Sequence, residues 1–251
     1  MQTIEMNPAI TELKLSPSNI RWLFDRCPRC FWLNTRDVKL KEKFEFGLAN
    51  IVDRSMKASL GVEELRKLGI PAKQVLQRGN LKSKPIVTTY GVTITINGKL
   101  DKSVELDSGS TAVIEFKMSE PKAPKSGGRD TYADQVNAYA YCLENPADDE
   151  TEHVESAFCI YFSPRSENSF TLSQDGDYAA VRGGLAVREI EIVRGEFLDR
   201  LDQIAAVAAL HEMPDPGNWC ETCRHVDRIV EMRSAGEWTS DVARTQGDRR
   251  P

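Results

Sequence analysis

Between Pro85 and Met118, apolar and polar positions alternate in four segments rich in β-branched residues: PIVTTY (85–90), GVTITING (91–98), LDKSVELD (100–107) and STAVIEFKM (110–118). Alternation of this kind predicts strands of a sheet. The turn Asp107-Ser108-Gly109-Ser110 predicts that the last two form a hairpin. On both sides the period lengthens to that of a helix. Ser16 is placed to cap a helix that has Pro17 at its first position and Ile20, Leu23, Phe24 and Cys27 at helical spacing. A second helical pattern runs from Phe46 to Leu68 with an interruption near Gly61, and a third covers 131–144. Two further strands are expected in ESAFCIYFS (155–163) and VREIEIV (187–193). A long amphipathic helix follows over 195–213, with Phe197, Leu201, Ile204 and Ala208 on one side.

The acidic stretch 144–155 reads as an exposed loop and 233–251 as a frayed tail, and no internal repeat is visible. These elements predict an α/β fold, a single domain over 1–232 followed by a flexible tail. With 251 residues, 40% hydrophobic and 28% charged, the chain has the composition of a globular protein with a substantial core. The formal net charge of -5 argues against a generic coat for nucleic acid, which would be basic overall. The N-terminus lacks the basic start and apolar run of a secretory signal, and no stretch of about 18 apolar residues occurs, so a cytoplasmic protein without a membrane partner is expected. In a reducing compartment the six cysteines are expected as thiols or metal ligands rather than disulfides.

The segment TAVIEFK ends a strand of buried character with Glu115 and Lys117. Side chains alternate across a strand, so these two share one face while Ile114 and Phe116 share the other. A hairpin turning at or beside Ser108-Gly109 places Asp101 opposite Glu115, Phe116 or Lys117. In two of those three registers Asp101 joins Glu115 and Lys117 on one face. Two carboxylates beside a lysine suit a hard cation such as magnesium or manganese, which would stabilise negative charge and acidify water while Lys117 orients the nucleophile. A solvent-exposed ladder of ion pairs on an edge strand is the alternative.

Cys27-Pro28-Arg29-Cys30 and Cys220-Glu221-Thr222-Cys223 lie near opposite ends of the chain. Together they offer the four thiolates required by zinc or a cubane iron-sulfur cluster, provided the fold brings the pairs together. Such a link would clamp the N- and C-terminal segments across the core. Four unligated thiols are the alternative. Cys142 and Cys159 lack such partners and are expected as small buried apolar groups. His225 stands close enough to Cys223 to substitute as a ligand, though a lone exposed histidine is the simpler reading.

The series Gly98-Lys99-Leu100-Asp101, Glu115-Phe116-Lys117 and Gln135-Val136-Asn137-Ala138-Tyr139 resembles the PD-(D/E)XK nuclease superfamily, in particular its RecB-like branch. That branch includes the CRISPR adaptation exonucleases and the nuclease domains of bacterial helicase-nucleases. The resemblance extends from about Ser16 to Arg224. It implies a restriction-endonuclease-like core with a mixed central sheet flanked by helices, and a magnesium- or manganese-dependent deoxyribonuclease acting on single-stranded DNA or DNA ends. Repair, recombination, CRISPR adaptation and phage DNA processing are the implied settings, with a helicase or a recombination or integration factor as partner. A catalytically silent DNA-binding or assembly subunit is the other class of answer.

The resemblance further implies that Asp101, Glu115 and the Phe116 carbonyl hold the cation, that Lys117 serves the attacking water, and that Gln135 and Tyr139 support the site and touch DNA. Residues four apart share a helix face, which lets Gln135 and Tyr139 point at the same strand end. Asp53 stands where the branch usually places a histidine ligand; an oxygen ligand there would shift preference from manganese towards magnesium. The branch's iron-sulfur members join one cysteine of a Cys-Pro-Arg motif to three near the C-terminus. Cys27 matches the first, Cys220 and Cys223 match two of the others, and Cys30 offers the remaining thiolate. A structural four-iron four-sulfur cluster is implied, with zinc as the competitor. Lys122, Lys125 and Arg129, in a loop without acidic residues just before the 131–144 helix, are the candidate phosphate contacts; a solvated loop is the alternative. The mildly basic 36–43 segment carries either role, and Trp22, Phe31 and Trp32 offer either base stacking or packing around the cysteines.

Overall fold

The computed structural model describes residues 10–20, 24–25, 27–38, 47–121, 130–163, 170–172 and 179–235. The candidate phosphate contacts Lys122, Lys125 and Arg129 lie outside these residues, as do Trp22, most of the basic 36–43 segment and nearly all of the expected tail. Two mixed sheets and the helices around them make up the α/β architecture. The central sheet takes its strands from β2 (Ala72–Leu76), β6 (Lys102–Leu106), β7 (Thr111–Lys117), β8 (Val154–Ser163) and β11 (Gly184–Ile190), in the order β11-β8-β7-β6-β2. The smaller sheet pairs β5 (Thr93–Lys99) with β1 (Glu12–Leu15) in parallel, and with β3 (Asn80–Lys82) and β4 (Ile86–Val87) antiparallel.

The β6–β7 hairpin forms where the turn residues predict it. Gly109 adopts φ +85°, a conformation that costs glycine little, and its N–H donates to the Leu106 carbonyl at 2.9 Å. The ladder pairs Lys102 with Ile114 and Glu105 with Thr111. Continued one residue outward, this register sets Asp101 opposite Glu115. β7 then pairs in parallel with β8, and the connection between them contains α5 (Ala133–Glu144). β7 is therefore the middle strand of five, which removes the edge-strand ion-pair ladder.

Alternation along β7 divides the core. Ala112, Ile114 and Phe116 pack on the side of α3 (Gly47–Ser59) and α4 (Val62–Lys67), together with Met56, Leu65, Phe158 and Ile160. Val113 faces the opposite way, towards Val136 and Leu143 of α5 and towards α6 (Arg194–Ala208). The expected stripe of α6 is the buried one: Phe197, Leu201, Ile204 and Ala208 are all essentially inaccessible, and a side chain of Leu or Phe size buried in this way contributes about 1.5–3 kcal/mol. Asn137 fixes α6 to α5 by accepting the Val193 N–H at 2.8 Å and donating to the Glu191 carbonyl at 3.2 Å.

The structure revises several boundaries. Ser16 does cap a helix, with its hydroxyl accepting the Asn19 N–H at 3.2 Å, but α1 (Pro17–Asn19) is a single turn. Cys27 is extended (φ -168°, ψ 120°) and N-caps a new helix, α2 (Pro28–Asn34), instead of ending the first. Pro28 accounts for this, since a proline disfavours helical backbone in the residue before it and suits a first helical position. α3 and α4 separate at Gly61 as expected. The short strands β1, β2, β3, β9 (Phe170–Leu172) and β10 (Ala179–Val181) carry too few alternations to be read beforehand. α7 (Glu221–Ser234) was also not expected; its one buried residue is Cys223, so it lacks the apolar stripe that betrays a core helix. Among the described residues no helix is long and apolar enough to cross a membrane.

Gly98 lies where β5 passes α1 and α5. A Cβ there would stand 2.5 Å from Pro17 Cδ and 3.3 Å from Tyr139 Cε1. Gly98→Ala is expected to cost about 1–3 kcal/mol, the usual range for overpacking, measured as a lowered midpoint in urea with an unchanged slope.

Candidate active site

Between Lys99 and Lys102 the chain leaves the smaller sheet and enters the central one, with Leu100 and Asp101 at the bend. Asp101 is therefore not a strand residue, and its orientation follows from what its carboxylate binds. Oδ2 accepts the Phe116 backbone N–H at 3.0 Å, which ties the bend to the end of β7. Oδ1 meets the Lys57 ammonium at 2.6 Å. Lys57 also meets Asp53 Oδ2 at 2.6 Å, one turn earlier on α3. Burial works against the Lys57 charge, but Asp101 and Asp53 outweigh it and hold the ammonium above its ordinary range.

Glu115 and Lys117 occupy the face of β7 covered by α5. The Glu115 residue is only 4% exposed. Its Oε1 accepts from Lys117 Nζ at 2.6 Å and from Gln135 Nε2 at 2.7 Å, and Lys117 Nζ donates also to Gln135 Oε1 at 2.9 Å. The three groups close a triangle, with the Lys117 ammonium 4.3 Å from the centre of the Tyr132 ring. Oε2 of Glu115 is buried and has no hydrogen-bond partner among the described residues. Burial first, moderated by Lys117 and reinforced by the Asp101 charge, pushes the Glu115 carboxyl up to about 7.

Of the remaining expected residues, Tyr139 sits one turn beyond Gln135 on α5, buried, and donates its hydroxyl to the Lys99 carbonyl at 2.9 Å. It thus holds the strand end from which Asp101 projects. Burial, then the negative charge of Glu115, raises its ionisation well above the usual phenol range. The Phe116 side chain is in the α3-side core, leaving its peptide group at the site. Asp101, Glu115, Lys117 and Gln135 thus come together. Asp53, Asp101 and Glu115 do not gather their oxygens within the 4.8 Å that unites the four cysteine sulfurs, and Lys57 stands between the first two. Lys57 was not anticipated. Asp53-x-x-x-Lys57 looks like an ordinary solvated helix pair, and only the fold brings Asp101 to it.

A cleft of about 390 Å³ opens beside Asp101, lined among others by Lys57, Arg78, Lys102 and Ser103. Arg78 pairs with Glu152 at 2.7 Å, and the Lys102 ammonium donates to the Leu60 carbonyl.

The cysteine pairs meet at the far end of the chain path. Cys27, Cys30, Cys220 and Cys223 form a buried cluster of their own, with all four sulfurs within 4.8 Å of one another, and can hold a metal ion. Cys220 holds the N-cap position of α7 without a side-chain cap bond, whereas Cys27 Sγ accepts the Cys30 N–H at the start of α2. Burial opposes ionisation of Cys27, but the N–H groups of Gly217 and Cys30 and the adjacent thiols outweigh it and lower its pKa to about 7. Arg29 clasps the two segments from outside, with Nη1 at 3.0 Å from each Asp227 oxygen and Nε donating to the Pro214 carbonyl. His225 falls outside the cluster. Cys142 and Cys159 are buried elsewhere, as expected of small apolar groups.

No family model matches the chain, and no curated protein matches it. Among solved structures it is similar to the protein SSO0001, with 14% identity over 77% of this chain and 76% of that one and a TM-score of 0.43. It is also similar to a phage-related exonuclease from Haemophilus somnus 129PT, with 13% identity over 79% of this chain and 93% of that one and a TM-score of 0.41. At these scores neither likeness bears on the chemistry of the site.

The raised Glu115 pKa has a definite sign in stability. The folded state prefers the protonated carboxyl, so this contribution is fully present below about 4.5 and is lost as pH rises through about 7. In metal-free buffer the thermal midpoint is expected to fall over that window, and Glu115→Gln should flatten the decline.

Proposed function

We propose that the chain is a divalent-metal-dependent hydrolase of DNA phosphodiesters. The observation that carries this reading is the buried Glu115 carboxyl, whose Oε2 lacks a partner while Oε1 is held by Lys117 and Gln135, with Asp101 brought opposite it. An orphaned buried carboxylate oxygen is costly unless a cation completes it. A magnesium or manganese ion would be held by Asp101, Glu115 and the Phe116 carbonyl; Asp53 would join as a further oxygen ligand only if Lys57 moved aside and the three carboxylates, which do not gather here, drew together. When bound, such an ion neutralises phosphate charge and acidifies water.

The chain's own groups supply the remaining parts. Lys117, anchored between Glu115 and Gln135, presents an ammonium group that orients the attacking water and stabilises the charge that develops on phosphate. Gln135 fixes Lys117 and Glu115 together, and Tyr139 holds the Lys99 strand end, so both are positioning groups here. The cleft beside Asp101, with Lys57, Arg78 and Lys102 on its walls, suits a polyanionic backbone. Lys122, Lys125 and Arg129, basic residues with no acidic neighbour in 121–129, are the further phosphate contacts we favour on sequence grounds. Single strands or free DNA ends are the substrates we favour, in repair, recombination, CRISPR adaptation or phage DNA processing, alongside a helicase or integration partner.

One observation favours a second reading. Lys57 already neutralises Asp53 and Asp101 with its own charge, as a retired metal site would, and this suits a DNA-binding or assembly subunit without catalysis. The two readings separate in a cleavage assay on labelled single- and double-stranded DNA. The nuclease reading expects products with Mg²⁺ or Mn²⁺ and none with a chelator. It also expects losses of about 10²–10⁴-fold in Lys117→Ala and Asp101→Asn, the usual range for removing one oriented catalytic group, with DNA affinity retained. Equal DNA binding with no cleavage under any metal would establish the silent subunit. Lys57→Met is expected to lower the Mn²⁺ concentration needed for half-maximal binding in calorimetry, because it removes the competing cation.

A further inference from the structure

The resemblance to iron-sulfur nucleases implies a cubane at the four cysteines, and the sulfur positions do not fit one. Cys30 Sγ lies 3.4 Å from Cys223 Sγ and 3.5 Å from Cys220 Sγ, and Cys27 Sγ lies 3.7 Å from Cys223 Sγ. All four are within 4.8 Å of one another. Sulfurs at about 2.3 Å from one tetrahedral zinc ion stand about 3.8 Å apart along each edge. Four iron and four sulfide atoms placed inside the same ligand set would spread the cysteine sulfurs to about 6 Å. We infer that Cys27, Cys30, Cys220 and Cys223 bind a single structural zinc ion rather than an iron-sulfur cluster.

The surroundings agree with a small closed site. The ligands are buried, and two backbone N–H groups point at Cys27 Sγ, from Gly217 at 3.2 Å and from Cys30 at 3.5 Å. N–H donors of this kind offset the excess negative charge of four thiolates around a divalent ion. The Cys30 N–H comes from the first turn of α2, so the Cys-x-x-Cys spacing itself supplies one donor. No position is left open for substrate or water, which marks a structural site. Cys27 and Cys223 are separated by 196 positions in the chain, so one ion closes most of the 251-residue sequence into a loop and joins α2 to α7. Metal affinity at such a site is folding free energy. No electron transfer is required of it.

This inference stands apart from the hydrolase reading and is tested without any cleavage assay. The full chain is produced in medium containing both iron and zinc, purified under anaerobic conditions, and assayed for metal and acid-labile sulfide. About one zinc per chain in a colourless protein is expected. Brown protein with iron and sulfide, or protein with neither metal, would overturn the assignment. Cobalt exchanged into the wild-type chain should give the intense visible bands of a tetrahedral tetrathiolate site, whereas the weak bands of octahedral cobalt would contradict it. Cys223→Ser should lower zinc retention during dialysis by at least about tenfold, in line with loss of one of four ligands. Should that variant not fold, the cobalt spectrum of the wild type decides alone.

Discussion

Glu115 carries a carboxyl group beneath α5 in the middle strand of the central sheet, and much of the local architecture serves to make that burial tolerable. Lys117 and Gln135 satisfy one oxygen from both sides, while the other has no partner among the described residues. Removing a carboxylate from water costs several kcal/mol unless charge and hydrogen bonds replace the lost hydration. Half of that compensation is present in the protein itself. The unmet half is what distinguishes this group from the surface pairs elsewhere on the chain, such as Lys73 with Glu105, which contribute little and need nothing further.

The second organising feature is the bend at Leu100–Asp101, where one chain segment passes between two sheets. Neither sheet alone would bring a carboxylate to the end of β7. Tyr139 holds the last carbonyl of β5, and Phe116 holds Asp101, so the bend is pinned from both sides by hydrogen bonds that join α5, β5 and β7. Gly98 leaves the space in which Pro17 and Tyr139 approach this strand. Lys57 reaches Asp101 from α3 and gives the site a cation of its own.

The cysteine cluster works on a longer scale. Its two halves come from the turns that open α2 and α7, and α7 buries no other residue than Cys223. Without a link, this helix would have little hydrophobic reason to remain where it is. The Arg29–Asp227 contact and the packed sulfurs together hold it, so the C-terminal helix depends on polar and ligand contacts where the rest of the chain depends on its core.

Local periodicity was enough to identify β5 to β8, α5, the stripe of α6 and the β6–β7 turn, because alternation and helical spacing report which face meets a core. It also put Glu115 and Lys117 on one face, and the paired Cys-x-x-Cys spacing showed that four thiolates were on offer. It missed the short strands, α7 and the break before Cys27, where three to five residues or a polar helix carry too weak a pattern, or where a proline overrides one. The covering of both faces of β7, the turning of Asp101 towards Phe116, the arrival of Lys57 between two aspartates, and the distances among the four sulfurs were decided only by the tertiary structure. Each of these joins residues far apart in the chain, and local sequence preferences do not encode separations across a fold.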